Sequence, residues 1–398
     1  MTNYTPENVL PELKWPFIVR ERPGMYFGGI NSVGMHRLVW YVIDHAIDEA
    51  LAKQGCHVDI VLQDANVISI SDNGVGLPVE RDPETERPVL ELILTARRGR
   101  KFSDKFPRLP NYSMNLAWVN AVAAELSVQV RRNGFLWQQR YKQGNPQTEL
   151  EQVRALESGE QSGTTMTFSP DFSIFDPCEM DYSLLSQRCR ELAFLLSGLT
   201  IVLTDQRSAH EQRIHRFIFA DGLKQYLSCL NQGYPVLHEP IVIRKTVELE
   251  RHSKPLGFTA DIEIALQYAQ LHQPILLGFV NTFEVEQGGT HIRGFVEALT
   301  HVISSYASEK GMGGWYTFIE DDIVCGLAAV LNIWHPTPEF AGSARYELMN
   351  SELEDAIYQI TRDALEAFSI EHPDQMQRII EKCLQNKALR LHRRYSGL

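Results

Sequence analysis

One amphipathic segment, residues 34–53, constrains this chain more than any other. It reads GMHRLVWYVIDHAIDEALAK, and its apolar residues recur every three or four positions, which predicts a helix with one face in a core. That face consists of Leu38, Val39, Val42, Ile43, Ala46, Ile47, Ala50 and Leu51. The adjacent face is polar and carries Tyr41, His45, Asp48 and Glu49. The chain is therefore expected to have a core helix whose polar edge can also contribute residues to a functional site.

Strand and turn patterns follow this helix. Residues 57–62 and 67–71 predict two strands joined by a turn at 64–66, and residues 126–131 and 135–141 predict a hairpin around 133–134. A short strand at 164–168 precedes a helix at 182–196 that Gly198 closes. This mixture predicts an antiparallel sheet with helices on one face, an α+β layer.

A second unit is predicted from about residue 239 onward. Its strands lie near 240–248, 257–268, 275–285 and 323–334, with a helix at 292–306 and a long helical run over 350–394. We therefore expect three parts: an N-terminal arm at 1–16, a first domain at 17–220 and a second domain at 221–398.

Composition and charge argue against some classes of protein. The chain has no apolar run of roughly 18 residues and no leader pattern at its start, so we expect a cytoplasmic protein that does not span a membrane. A net charge of −12 argues against binding nucleic acid over the whole surface. The basic residues near the end form either a local anion-binding patch or a solvated helix end; they are Lys382, Lys387, Arg390, Arg393 and Arg394. The six cysteines include no C-x-x-C pair, so we expect reduced, mostly buried thiols.

Several short runs occur in an order that resembles one known family. RERPGMY at 20–26 precedes the helix, DNGVGLP at 72–78 follows it, and RELAFLLSG at 190–198 and QGGTHIRGF at 287–295 come later. This order resembles the N-terminal ATPase region of the bacterial type II topoisomerase B subunits, DNA gyrase B and topoisomerase IV ParE. The resemblance implies a GHKL-type (Bergerat) sheet-and-helix sandwich, followed by a transducer domain with a right-handed β-α-β crossover. The chain stops where the family enters a metal-binding TOPRIM domain, so we expect that domain to be lacking.

The resemblance implies that the base-recognition side of a nucleotide site is retained. Asp72 matches the carboxylate that accepts a hydrogen bond from the adenine amino group. Gly74 and Gly76 match glycines that let the backbone approach the base closely. Thr164 matches the threonine that supports this contact. If nucleotide still binds, we expect these four residues and Lys101 to hold it.

The hydrolytic side departs from the family pattern. Where the family helix reads EVVDNAIDEA, this chain has Tyr41 in place of the general base and His45 in place of the asparagine that holds magnesium. A phenol with a pKa of about 10 is a poor base at neutral pH. An imidazole is a weak substitute for the hard oxygen donors that magnesium prefers. Glu49 keeps its place, but its usual arginine partner matches Val75, so we expect no catalytic residue and no metal site.

The phosphate-binding elements have changed as well. The glycine run that cradles the triphosphate aligns with LPNYSMN at 109–115, which has no glycine and includes Pro110. Lys101 remains from a stretch that has kept one of its two glycines. In the loop that senses the γ-phosphate, Ser343 and Arg345 replace the family's glutamine and lysine.

Loss of the base, the metal ligand, the cradle and the γ-phosphate sensor together predicts a pseudoenzyme. We expect it to need no cofactor and to act by binding itself as a homodimer, a topoisomerase subunit or DNA, and so to modulate DNA topology. The alternative is a fragment of an ATP-binding, ATP-hydrolysing type II topoisomerase B subunit, with ATP and magnesium as cofactors. The runs at 22–26 and 287–291 argue against a third interpretation, a MutL-like or HSP90-like protein.

Overall fold

The computed structural model describes residues 16–51, 56–95, 112–208, 211–251, 254–312, 318–341 and 346–396. The chain divides into two compact units, Met1–Phe219 and Ala220–Leu398. Within the described residues, no helix is both long enough and apolar enough to cross a membrane.

The first unit is built on a nine-stranded sheet. Its strands are β1 (His57–Leu62), β2 (Ile68–Asp72), β3 (Ala123–Arg132), β4 (Phe135–Lys142), β5 (Asn145–Pro146), β6 (Glu151–Ala155), β7 (Gly163–Pro170), β8 (Thr200–Asp205) and β9 (Arg213–Phe217). They lie in the order β5-β4-β3-β7-β2-β1-β8-β9, and β6 also pairs with β4. The predicted strands are confirmed, and every neighbouring pair in the sheet except one is antiparallel, as predicted. β1 and β8, which are separated in the chain by six other strands, run parallel.

Helices pack against this sheet, and the amphipathic helix predicted from the sequence is one of them. The helices are α1 (Phe17–Glu21), α2 (Gly24–Phe27), α3 (Ser32–Leu51), α4 (Val89–Thr95), α5 (Tyr112–Val122) and α6 (Tyr182–Leu195). α3 begins two residues before the predicted start and packs its apolar face on β1, β2 and β7. α6 begins after Asp181, whose carboxylate accepts hydrogen bonds from the amides of Ser183 and Leu184. The α+β layer predicted from sequence is thus confirmed.

The second unit pairs a five-stranded sheet with long helices. Its strands are β10 (Ile241–Arg251), β11 (Lys254–Tyr268), β12 (Ile275–Val280), β13 (Phe283–Glu284) and β14 (Leu327–Trp334), in the order β10-β11-β14-β12-β13. The helices are α7 (Leu223–Leu230), α8 (Thr290–Glu309), α9 (Glu320–Val324), α10 (Ser351–Glu371) and α11 (Pro373–Ser396). β12 and β14 are parallel neighbours, and α8 lies between them in the chain, so the predicted β-α-β crossover is present.

Two sequence predictions for this unit were wrong in detail. The strand expected at 323–334 begins only at Leu327, because residues 320–324 form α9 with three acidic residues in its first turn. The helical run expected over 350–394 is two helices that break at His372. Pro373 lacks an amide hydrogen and starts α11, a position that proline favours.

The cysteines are free, as expected, but fewer are buried than predicted. Cys189 and Cys383 are buried, Cys229 is exposed, and the other three are partly exposed.

Candidate functional site

The turn after β2, residues 72–77, is organised around one buried carboxylate. Asp72 is 4% exposed, and its Oδ1 accepts hydrogen bonds from the amides of Gly74 (2.8 Å) and Thr164 (3.2 Å). The hydroxyl of Thr164 in turn accepts a hydrogen bond from the amide of Leu77, at 3.0 Å. Asp72 and Thr164 therefore tie the turn to β7.

Three side chains that the sequence prediction did not include hold the carbonyl groups of the same turn. Arg131 donates to the carbonyl of Asp72 (3.0 Å), Ser162 to that of Gly74 (2.7 Å) and Arg132 to that of Gly76 (2.6 Å). The signal for the arginines was present in the sequence: two consecutive arginines end β3, immediately before the hairpin turn. Donors from β3 and from the segment before β7 therefore fix the turn through contacts within the chain.

Two glycines at this site make room for backbone. A Cβ on Gly74 would lie 2.4 Å from the carbonyl oxygen of Glu49 at the end of α3. A Cβ on Gly163, which has a φ of +149°, would lie 2.0 Å from the carbonyl oxygen of Asp72. The resemblance implied that Gly74 admits a ligand, whereas here it admits the close approach of α3.

Burial dominates the electrostatics of Asp72. Removal from water raises its pKa to about 6, although hydrogen bonds from Gly74 and Thr164 and the charge of Arg131 oppose the shift. Both of the hydrogen bonds from Gly74 and Thr164 go to Oδ1.

Glu49 lies beside Asp72 and carries a similarly perturbed carboxyl. Burial, with the charge of Asp72 as a second cause, raises the pKa of Glu49 to about 7. Arg132 opposes this shift, so a guanidinium from β3 stands near Glu49 even though the family's arginine is replaced by Val75. Burial also raises the pKa of Asp48 well above its usual range.

Tyr41 is enclosed by aromatic rings. The residue is 8% exposed, and its hydroxyl donates a hydrogen bond of 2.8 Å to the carbonyl of Tyr26. Its ring centroid lies 5.8 Å from that of Phe27 and 6.1 Å from that of Trp118, and Tyr26 and Trp118 are 5.0 Å apart. We call Tyr26, Phe27, Tyr41 and Trp118 the aromatic cluster. The residue in the place of the family's base thus serves as part of a core.

His45 lies one turn further along α3 and is 8% exposed. Burial lowers its pKa to about 4, so the ring is neutral at pH 7. Its Nε2 has no hydrogen-bond partner within the described part of the chain. A buried neutral imidazole does not suit magnesium, which requires hard oxygen ligands in octahedral array. The donor set at this position therefore does not fit the metal that the family uses.

Other predicted site residues lie outside the described residues. These are Lys101, Ser343 and Arg345, together with the cradle residues before Tyr112. α5 begins at Tyr112, so a helix start does follow the cradle segment. The site that the structure brings together consists of the 72–77 turn, Thr164 and the polar edge of α3.

Most of the basic residues near the end of the chain make contacts within the second unit. Arg390 forms a bidentate ion pair with Asp322, and both N–O distances are 2.8 Å. Lys387 lies 4.8 Å above the ring of Phe318, and Lys382 reaches the carbonyl of Leu271 at 3.5 Å. Three of the five cations thus make internal contacts, which favours the helix-end interpretation over an anion-binding patch.

Comparison with known proteins agrees with this architecture. Residues 222–397 match the family model described as DNA gyrase B, and residues 30–174 match that of the histidine kinase-, DNA gyrase B- and HSP90-like ATPases. The DNA gyrase B protein of Haloferax volcanii is 36% identical over 380 residues, which cover 92% of this chain and 57% of that protein. That of Streptococcus pyogenes serotype M1 is 35% identical over 370 residues, 92% of this chain and 55% of its own length. The chain belongs to the DNA gyrase B family.

Solved structures support the same conclusion. The 43K ATPase domain of Thermus thermophilus gyrase B, determined in complex with an aminocoumarin, superimposes with a TM-score of 0.77 and 28% identity, covering 95% of this chain and 96% of that one. The gyrase B protein of Myxococcus xanthus gives 0.73 and 25% identity, covering 91% and 98%. The gyrase B-like chain therefore carries an ATPase-type unit and a transducer-type unit, and it spans a little over half the length of the curated relatives it matches.

Proposed function

We propose that this gyrase B-like chain is a pseudoenzyme that has lost ATP hydrolysis and acts by binding. The observation that carries the proposal is the enclosure of Tyr41 within the aromatic cluster, with its hydroxyl bonded to the carbonyl of Tyr26. No carboxylate takes the place of the family's base at this position. General-base catalysis contributes roughly 10²–10⁴ in rate, so its loss alone makes turnover very slow.

The state of His45 supports the same proposal. Hydrolysis in this family uses magnesium to neutralise charge on the phosphates. A neutral imidazole, buried and with its Nε2 unpartnered among the described residues, does not replace an oxygen ligand for that ion. In this proposal, the positions of the lost base and the lost metal ligand, Tyr41 and His45, are one helical turn apart on α3.

The partner we favour is a protein, either a second copy of the chain or another topoisomerase subunit. The chain carries a net charge of −12, and three cations of its C-terminal basic patch make internal contacts. Both features weaken the case for DNA, because backbone binding depends on free lysines and arginines. We further propose that the chain forms a homodimer without nucleotide. In this proposal each copy consists of an arm at 1–16 and two domains, at 17–220 and 221–398.

Steady-state phosphate release tests the loss of hydrolysis. The full chain, with magnesium and ATP, should show no turnover above that of its Asp72→Asn variant, which removes the charge that faces a bound base. Turnover that disappears in the variant would contradict the proposal. It would support the second candidate function, a working ATPase subunit, which the intact turn at 72–77 favours.

Light scattering after size exclusion tests the assembly. A dimer whose mass is the same with and without a non-hydrolysable ATP analogue is expected. A monomer that dimerises only with the analogue would contradict both the assembly and the loss of nucleotide function.

A further inference from the structure

The nine-stranded sheet of the first unit ends in an open strand on each side. β9 pairs only with β8, and β6 pairs only with β4, at the opposite side of the sheet. Among the described residues, no further backbone hydrogen bond reaches the outer side of either strand. We call these outer sides the β9 edge and the β6 edge. An open strand edge is a template on which another strand can pair.

Both edges expose apolar surface. Every residue of β6 is exposed, and so is every residue of β9 except Phe217. Each strand presents one large apolar side chain to solvent, since Val153 on β6 is 50% exposed and Ile214 on β9 is 61% exposed. A strand that paired with either edge would remove part of this apolar surface from water, which favours association.

The β9 edge is already ordered by contacts behind it. Arg213 forms an ion pair of 3.1 Å with Asp205, and its guanidinium lies 4.3 Å from the centre of the Tyr182 ring. The hydroxyl of Tyr182 is 3.0 Å from Nδ1 of His215. These contacts hold β9 against the start of α6, so little conformational entropy is lost when another strand pairs with it.

The charges that remain at the two edges have opposite sign. On β9, the side chain of Arg216 has no ion pair or hydrogen bond within the described part of the chain. At β6, Arg154 pairs with Glu160 at 2.7 Å, while Glu149 and Glu151 have no such partner among the described residues. Two copies of the same edge would therefore repel each other, whereas a β6 edge and a β9 edge attract.

One register satisfies both the charges and the apolar side chains. In an antiparallel ladder that sets Glu151 opposite Arg216, Val153 falls opposite Ile214, because the two strands step in opposite directions. The ladder is short, since each strand has five residues and β6 is irregular where it pairs with β4. We therefore expect a weak contact that forms at high protein concentration.

From this juxtaposition we infer that the chain associates head to tail with further copies of itself, with β6 of one copy pairing antiparallel to β9 of the next. The sheet then continues from copy to copy. A contact between two unlike edges leaves one edge of each kind open at the ends, so copies add in a row. The inference goes beyond the proposed function, since it requires neither the loss of hydrolysis nor the nucleotide-independent homodimer.

Sedimentation of the full chain over a wide range of concentration tests the inference. The average mass should rise with concentration beyond that of a dimer. Ile214→Lys and Val153→Lys each place a charge at a position that the contact covers, and each should abolish the rise. Ile370→Lys is the matched control, because Ile370 lies on α10 and is 79% exposed; it should behave as the wild type.

The two proposals about assembly fail separately in this experiment. A wild-type mass that stays at that of a dimer at every concentration would overturn the head-to-tail contact and support the homodimer. Monomers at low concentration that add in a row as the concentration rises would support the contact and overturn the homodimer.

Mixing the two variants tests whether unlike edges meet. Ile214→Lys retains an intact β6 edge, and Val153→Lys retains an intact β9 edge. An equimolar mixture should therefore gain mass that neither variant gains alone. A mixture that gains none, or a single variant that associates by itself, would overturn the pairing of β6 with β9.

Charge reversal tests the register. Arg216→Glu and Glu151→Arg each place like charges opposite each other and should weaken the association by about fivefold. A chain that carries both substitutions restores the attraction and should associate as the wild type does. Single variants that associate normally, or a double variant that does not recover, would overturn the inference.

Discussion

The turn at 72–77 and the middle of α3 lie side by side, yet they have diverged to different extents. The turn keeps Asp72, Gly74 and Gly76 of the family's pattern but has Val75 in place of an arginine. Its amide and carbonyl groups are bonded by Thr164, Arg131, Arg132 and Ser162. On α3, Tyr41 is packed among rings and His45 is buried and neutral. The turn is therefore held together by hydrogen bonds, whereas the middle of α3 is packed as core.

The difference reflects what each region does for the fold. Asp72, Gly74 and Gly163 join β2, β7 and the end of α3, so changing them would disturb backbone packing whether or not a nucleotide binds. A base and a metal ligand contribute only to chemistry, and replacing them by an aromatic and a neutral ring adds buried apolar contact. Retention of the turn is therefore weak support for nucleotide binding, whereas the change on α3 bears directly on hydrolysis.

Glycine substitutions should give the largest contrast. Gly163→Ala places a Cβ 2.0 Å from the carbonyl of Asp72 at a φ of +149°, so we expect a loss of more than about 3 kcal/mol in the free energy of unfolding. Gly134→Ala is the control: its φ of +80° is also unfavourable, but no atom of the described residues lies within 4 Å of the added Cβ. It should cost about 1 kcal/mol. Urea unfolding measures both. Equal losses would show that the turn is not rigidly packed against β7.

The second prediction concerns the charge of Glu49. Because its pKa is raised to about 7 in the folded protein, the native state favours the protonated form, and stability falls as the pH rises from about 4.5 to 7. Glu49→Gln removes that loss, so it should stabilise the protein by up to about 3 kcal/mol at pH 8 and have little effect at pH 4.5. Thermal unfolding of both proteins at the two pH values measures this. The exposed Glu157→Gln is the control, and a destabilising effect of Glu49→Gln at pH 8 would mean that the carboxylate forms a favourable contact.

The third prediction concerns aminocoumarins, the class of compound bound to the Thermus thermophilus gyrase B domain. The resemblance implies an arginine that contacts such drugs at the position of Gln138 and a second arginine beneath it at Val75. Here the amide of Gln138 donates to Ser127 at 3.2 Å. Each lost charge-assisted contact weakens binding by about 1.5–3 kcal/mol, so we expect novobiocin to bind weakly or not at all. Submicromolar affinity by calorimetry would show that Asp72 and its neighbours suffice.

The smallest effect is expected at the hydroxyl of Tyr41. Tyr41→Phe keeps the ring in the aromatic cluster and removes the hydrogen bond to Tyr26, so it should cost about 1 kcal/mol. Tyr41→Ala, which also removes the ring, should cost about 3–5 kcal/mol. Chemical unfolding distinguishes the two. A Tyr41→Phe cost equal to that of Tyr41→Ala would place the stabilisation in the hydroxyl and contradict the packing role.

The sequence predicted most of the fold, because periodicity and turn chemistry are local. The helix α3, the hairpin around Asn133-Gly134 and the β12-α8-β14 crossover follow from such patterns. The parallel pairing of β1 with β8 did not, since it joins segments more than a hundred residues apart. The two arginines that donate to the turn, Arg131 and Arg132, stand out in the sequence as a consecutive pair. The spacing of one segment does not show, however, which turn they reach across the sheet. The burial of Tyr41 depended on Trp118 from another helix.

Single-turnover hydrolysis tests the central claim most directly. The full chain, in excess over radiolabelled ATP with magnesium, detects slow chemistry even where binding is weak. The loss of hydrolysis predicts a rate equal to that of the Asp72→Asn variant and of buffer alone, and no gain in the double variant Tyr41→Glu and His45→Asn. A wild-type rate well above that of Asp72→Asn would show that the site still performs hydrolysis and would contradict the pseudoenzyme proposal.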